Sequence, residues 1–180
     1  MQDQRKVVLY IAQSLDGFIA GKDDDLSWLS VVEKSGEDYG YQNFINSVDT
    51  VIMGRKTYDK VLSFGIEFPH KSKKCYVISN SKTGHDEYVE FINDDLIAFI
   101  ESLKSKPGKN IYLDGGAMLV QEMLRLNLID EMILSVIPVL LGKGIHLFGE
   151  YNTLSKPHTK LQLQSCKYFE TGLVQLQYRI

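Results

Sequence analysis

Hydrophobic positions along this chain fall into two rhythms. Over the first two-thirds they gather in short unbroken runs: residues 7–12 (VVLYIA), 50–54 (TVIMG), 75–79 (CYVIS) and 111–115 (IYLDG). Runs without polar alternation predict strands covered on both faces, as in a parallel sheet packed between helices. Between them the spacing turns helical. Residues 36–48 place Tyr41, Phe44, Ile45 and Val48 on one face, and residues 94–106 group Leu96, Phe99, Ile100 and Leu103 before Pro107 and Gly108 stop the helix. A third helix is predicted from the Gly115-Gly116 pair to about Leu126. Strand and helix alternate, which predicts an α/β fold.

The last third changes rhythm. Val174, Leu176, Tyr178 and Ile180 face one way and Gln175, Gln177 and Arg179 the other, and Thr171-Gly172 supplies a turn. This predicts a C-terminal antiparallel hairpin with one wetter face. Pro138 predicts an edge or a bulge where its strand ends. Without a repeat or a linker, residues 1–180 read as a single domain.

Composition narrows the function. A formal net charge of −3 offers no global field for nucleic acid, so any anion site must be local. No apolar run approaches the roughly 18 residues of a membrane span, and the first residues read as a strand and not as a leader. Cys75 and Cys166 lie in apolar strand-like segments, which predicts buried, reduced thiols. No N-x-S/T acceptor is present, and the expected location is the cytoplasm.

Three strand ends carry candidate chemistry. Gly54-Arg55-Lys56-Thr57 follows an apolar run and opens a helix, where free amides, a hydroxyl and two cations suit a phosphate; a solvated basic turn is the plain alternative. Gly115-Gly116, followed by Ala117 and Met118, is a second strand-to-helix turn that permits close backbone approach, or simply a tight turn. The third end, ISNSK, carries Ser79 and Asn80. Ligands of open α/β sheets bind at that edge, and three such ends suit an extended dinucleotide. Neither a Rossmann fingerprint nor a Walker A sequence is present. Residues 12–29 form a glycine-punctuated loop, read either as an ordered surface loop or as a flap bringing Trp28 over a flat ligand. His70, His85, His146 and His158 are scattered and show no metal spacing, so no metal site is expected. Ser14 lies near Asp16 without a histidine in a recognisable triad. Asp38 or Glu37 could serve as a carboxylate acid, although helix capping is the commoner role for such residues.

TVIMGRKTY, VISN and LDGG, in this order, resemble the three cofactor-contacting strand ends of the dihydrofolate reductase fold. AQSLDGFIAG and PVLLGKGIHLF look closer to the reductase domain of riboflavin biosynthesis and its small bacterial relatives. The resemblance runs from about Lys6 to Ile180. It implies a mostly parallel central sheet flanked by helices with a C-terminal antiparallel hairpin, NADPH as hydride donor, and a homodimer. Carried over by position, Gly54, Arg55, Lys56 and Thr57 would hold cofactor phosphates, with Arg55 near the 2′-phosphate and Ser79 and Asn80 along the adenosine. Leu113, Gly115, Gly116, Ala117 and Met118 would cradle the pyrophosphate, and Ala12, Leu15, Asp16 and Ile19 would lie by the nicotinamide. Trp28 and Phe44 are assigned to the substrate pocket and Asp38 to catalysis. The segment around Asp38, GEDYGYQNF, departs from the folate enzyme's motif, and Asp114 stands where that enzyme has glycine. Ala117 and Leu119 or Val120 replace its basic and aromatic residues after the glycine pair. These departures favour the riboflavin-type branch: an NADPH-dependent reductase of a small, flat, pterin- or pyrimidine-like heterocycle. The alternatives are a dinucleotide-binding module without turnover, true dihydrofolate reduction, and an interaction protein with an empty cleft.

Overall fold

A computed structural model describes residues 4–149 and 159–180. Its strands are β1 Val7–Ser14, β2 Phe18–Ala20, β3 Val48–Gly54, β4 Lys74–Ile78, β5 Gly84–His85, β6 Glu90–Ile92, β7 Asn110–Gly115, β8 Glu131–Ile137, β9 Ile145–His146, β10 Gln162–Tyr168 and β11 Val174–Arg179. The α-helices are α1 Tyr41–Asn46, α2 Arg55–Ser63, α3 Leu96–Lys104 and α4 Ala117–Arg125. The main sheet runs in the order β10-β11-β8-β1-β7-β3-β4-β6-β5. Its centre is parallel, with β8, β1, β7, β3, β4 and β6 aligned, and β11 and β10 return antiparallel as the expected hairpin.

The unbroken apolar runs have the physical cause anticipated for them. Alternate residues of one strand enter cores on opposite faces: Leu9, Ile52 and Leu113 join the α3 and α4 side, and Val8, Val51, Met53 and Tyr112 join the α1 and α2 side. Such two-sided burial makes the strand ends rigid platforms for loops.

Several expectations need correction. The helix foreseen over 36–48 contracts to α1, because Gly36, Tyr39 and Gly40 adopt φ of 80°, 54° and 81°, outside the right-handed helical region. Pro138 does end its strand, but β8 lies inside the sheet between β1 and β11, so it marks no edge. Cys75 is buried, whereas Cys166 is exposed because β10 is the edge strand; both thiols are free. His158 lies outside the described residues. Among the described residues no helix is long and apolar enough to cross a membrane.

Candidate functional site

The two glycine-bearing strand ends, about 60 residues apart in sequence, meet in space. β3 and β7 are neighbours, with Met53 opposite Gly115. A Cβ placed on Gly54 would lie 3.7 Å from the Gly115 carbonyl oxygen and 3.7 Å from the Gly116 nitrogen, and one on Gly116 would lie 3.0 Å from Thr57 Oγ1. Gly54, Thr57, Gly115 and Gly116 therefore form one cradle. Gly115 has φ +108°, a conformation that L side chains avoid, and its peptide bond to Gly116 is cis. The helices that start here, α2 and α4, receive no side-chain cap at Gly54 or Gly116, while α3 is capped by Asp95 accepting from the Ala98 amide. Two helix starts thus direct uncapped amides at the same edge, an arrangement suited to phosphate.

Cations flank the cradle. Arg55 donates from Nε to both carboxylate oxygens of Asp59 at 2.8 and 2.9 Å, and its guanidinium carbon lies 5.7 Å from the Phe91 ring centre. Lys82 Nζ sits 4.3 Å from the same ring centre, so two cations share one aromatic plate. Lys82 is a residue that motif reading passed over, although it closes the ISNSK stretch. Lys56 is exposed. Ser79 is buried and its hydroxyl oxygen accepts the amides of Ser81 and Lys82, which shapes this turn, while Asn80 is exposed beside it.

The remaining cofactor assignments divide. Ala117 is buried and Met118 exposed at the first turn of α4. Leu113 is fully enclosed in the core and cannot touch a ligand. Ala12 is half-buried on β1, Ile19 packs against the core on the α4 side, and Leu15 is exposed. Asp16 has a bracing role: its carboxylate accepts from the Ser14 hydroxyl at 2.6 Å and from the amides of Leu141 and Gly142 at 3.1 and 2.8 Å. These bonds, the Ser14 hydroxyl first, hold its pKa down to about 2. A depressed carboxylate contributes stability above its ordinary pKa near 3.8 and loses it as pH falls through about 2. Denaturant titrations of wild type and Asp16→Asn should show a shallower loss of stability in the variant across that window. Parallel curves would deny Asp16 this role.

Across β1 from Ile11, whose Cδ1 would lie 3.5 Å from a Cβ on Gly115, opens a cavity of about 580 Å³. Tyr10, Tyr39 and Tyr41 supply flat walls, Ser135 and Ile137 come from β8, and Leu173 comes from the hairpin turn. Gln175 Nε2 lies within hydrogen-bond reach of Tyr10 Oη at 3.1 Å, the Tyr39 carbonyl at 3.1 Å and Ser135 Oγ at 3.2 Å, and its two hydrogens, shared among these three, tie β1, β8, β11 and the loop before α1 together. Burial, with the charge of Asp114 adding to it, pushes the Tyr41 phenol up to about 12, so it stays protonated.

Asp38 lines this cavity, but its carboxylate is already engaged, accepting the amides of Gly40 at 2.8 Å and Gln42 at 2.9 Å. Those bonds lower its pKa, the Gln42 amide most, so it stands as an ionised cap rather than a stored proton. Trp28 and Phe44 are core side chains and do not line the cavity. Trp28 packs with Val32, Ile137 and Leu173 and donates its indole N–H to the Asp25 carbonyl at 3.2 Å. Phe44 stacks on Tyr10 with ring centres 4.6 Å apart. Both therefore support the lining from behind. Of the histidines, His70 is buried with Nε2 3.4 Å from Asp114, whose carboxylate also accepts the Tyr112 hydroxyl at 2.6 Å.

The sequence profile of the RibD C-terminal domain matches residues 5–175. The chain is 47% identical over 176 residues to Uncharacterized protein YwjB of Bacillus subtilis (strain 168), covering 97% of this chain and 98% of that one. It resembles the crystal structure of a putative riboflavin biosynthesis protein from Shewanella sp. PV-4 with a TM-score of 0.87 and 35% identity, over 97% and 98% of the two chains. A diaminohydroxyphosphoribosylaminopyrimidine deaminase/5-amino-6-(5-phosphoribosylamino)uracil reductase from Thermotoga maritima superposes with a TM-score of 0.74. At 16% identity, over 99% of this chain and 57% of that one, this likeness shows the fold alone.

Proposed function

This chain belongs to the RibD C-terminal domain family, and from that premise we propose that it is an NADPH-dependent reductase of a small, flat, pyrimidine- or pterin-like heterocycle. The observation that carries the reading is the convergence of Gly54, Thr57, Gly115 and Gly116 between two helix starts without side-chain caps. The space that a Cβ on Gly116 would fill, 3.0 Å from Thr57 Oγ1, fits a phosphate held by amides and a hydroxyl. Arg55, Lys56 and Lys82 place positive charge beside it. A second fitting observation lies on β1, where Gln13 Oε1 is buried without a hydrogen-bond partner; a bound carboxamide would offer it a donor.

NADPH supplies the hydride when bound. The chain's own contribution is alignment and exclusion of water: the cradle fixes the phosphates, β1 separates cradle from cavity, and the tyrosine walls hold a flat ring. Tyr41, kept protonated, is one of the cavity hydroxyls able to donate a hydrogen bond to the ring.

Calorimetric titration with NADPH and NADH at two salt concentrations tests this reading. Tight NADPH, weak NADH and a preference that fades with salt are the expected result. In Arg55→Ala, NADPH binding should weaken by about 1.5–3 kcal/mol, ~10- to 150-fold, through loss of a charge-assisted bond, and NADH binding should hold. Unchanged NADPH affinity would remove Arg55 from the site. The engaged state of Asp38 favours one second reading, a dinucleotide-binding module without turnover. NADPH oxidation during a screen of pterins and aminopyrimidines distinguishes the two.

A further inference from the structure

The two sides of the candidate site carry opposite electrostatics. On the cradle side, two helix starts are uncapped and Lys56 and Lys82 stand near, with Arg55 paired to Asp59. On the cavity side, α1 also starts beside the pocket, but the Asp38 carboxylate occupies the amides of Gly40 and Gln42. Those two amides therefore face a carboxylate of the protein itself.

The cavity rim continues this sign. Glu33, Glu37 and Asp38 line it, and its one lining cation among the described residues, Lys34, is held by Glu170 at 2.5 Å. No arginine lines it among the described residues. Deeper in, Gln175 Nε2 is engaged with Tyr10, Tyr39 and Ser135, and the lining there is aromatic and hydroxyl-bearing, with no further cation among the described residues. A phosphomonoester brings a charge of about −1.5 to −2 and needs several N–H donors or cations. The rim offers carboxylates instead.

We infer that this cavity takes an unphosphorylated, neutral or cationic amino-heterocycle and excludes phosphorylated ones. The inference rests on the reductase reading and narrows it. It separates this chain from the phosphoribosyl compound for which the Thermotoga maritima protein is named. The rim carboxylates would attract exocyclic amino groups, and the three tyrosines would hold the ring.

The test is an NMR titration of the full chain saturated with NADPH, so that added nucleotides cannot enter the cradle. Cytidine and cytidine 5′-monophosphate differ only by the phosphate, and 2,4-diaminopyrimidine is a compact control; binding is read at the amides of Tyr41 and Ser135. Cytidine should bind at least ~10-fold more tightly than its monophosphate, as a like-charged rim demands. Glu33→Lys, at an exposed position, should narrow or invert that ratio. Equal or tighter binding of the monophosphate to wild type overturns the inference. So does the absence of any shift with all three probes at millimolar concentration. NADPH binding is measured in the same samples, so its failure sinks the reductase reading separately, and the probes are then scored on the free protein.

Discussion

Gly116→Val should weaken NADPH binding by at least ~100-fold, about 2.7 kcal/mol, while the chain stays folded. The first added carbon would lie 3.0 Å from Thr57 Oγ1, closer than nearly all real Cβ contacts, and the branches beyond it would occupy the space between the two helix starts. Gly116 has φ −81°, an ordinary angle, so the backbone tolerates a side chain and the damage falls on the ligand's space. Gly115→Ala is the informative partner. At φ +108° its backbone is the obstacle, and it should lose about 1–3 kcal/mol of stability as well as affinity. Calorimetry beside urea denaturation separates the two. Full NADPH affinity in Gly116→Val would place the phosphates elsewhere.

The largest loss of stability is expected at the opposite end of the sheet. Arg5 is 7% exposed and donates to the carbonyls of Lys109 at 2.6 Å and Leu103 at 3.1 Å, to Thr50 Oγ1 at 2.7 Å, and to Asp49. It joins the approach to β1, the last turn of α3, the lead into β7 and the start of β3. Arg5→Ala strands two buried acceptors, the Leu103 carbonyl and Thr50 Oγ1, and two part-buried ones, and should cost about 3 kcal/mol. In a chain of this size that lowers Tm by roughly 6–12 °C. Arg5→Lys should recover little, because an ammonium cannot reproduce the planar fork. A loss under about 1 kcal/mol in Arg5→Ala would show that water replaces these bonds without penalty.

The sheet and its helices were legible because two-sided burial writes itself as unbroken apolar runs, and the alternating hairpin was legible for the complementary reason. Gly54 and Gly115-Gly116 could be singled out because a strand running directly into a helix is a local signal. Their meeting is not local: it depends on β7 lying beside β3, which spacing alone does not show; the family resemblance implied only that both ends contact one cofactor. The cavity was nearly invisible. More than half of its lining comes from residues 29–39 before α1, but β1, β8 and the hairpin turn add only one or two residues each, and no short motif unites Tyr10, Tyr39, Ser135 and Leu173. Trp28 and Phe44 looked like ligand platforms because they are aromatic residues near glycine-rich turns, yet burial against neighbouring apolar groups claims both. The late start of the helix within 36–48 was hidden in Tyr39, whose left-handed conformation its side chain does not advertise.

The pairing of Met53 with Gly115 has one more consequence. Half of the cradle is synthesised long before the other half, and neither half is a binding element alone. Two fragments divided between α2 and β7 would each carry one helix start and no affinity, and mixing them should restore binding only as the sheet zips together. On the proposed function, dinucleotide affinity would be a readout of completed assembly: the ligand would select for the native order of strands and, by mass action, guard it.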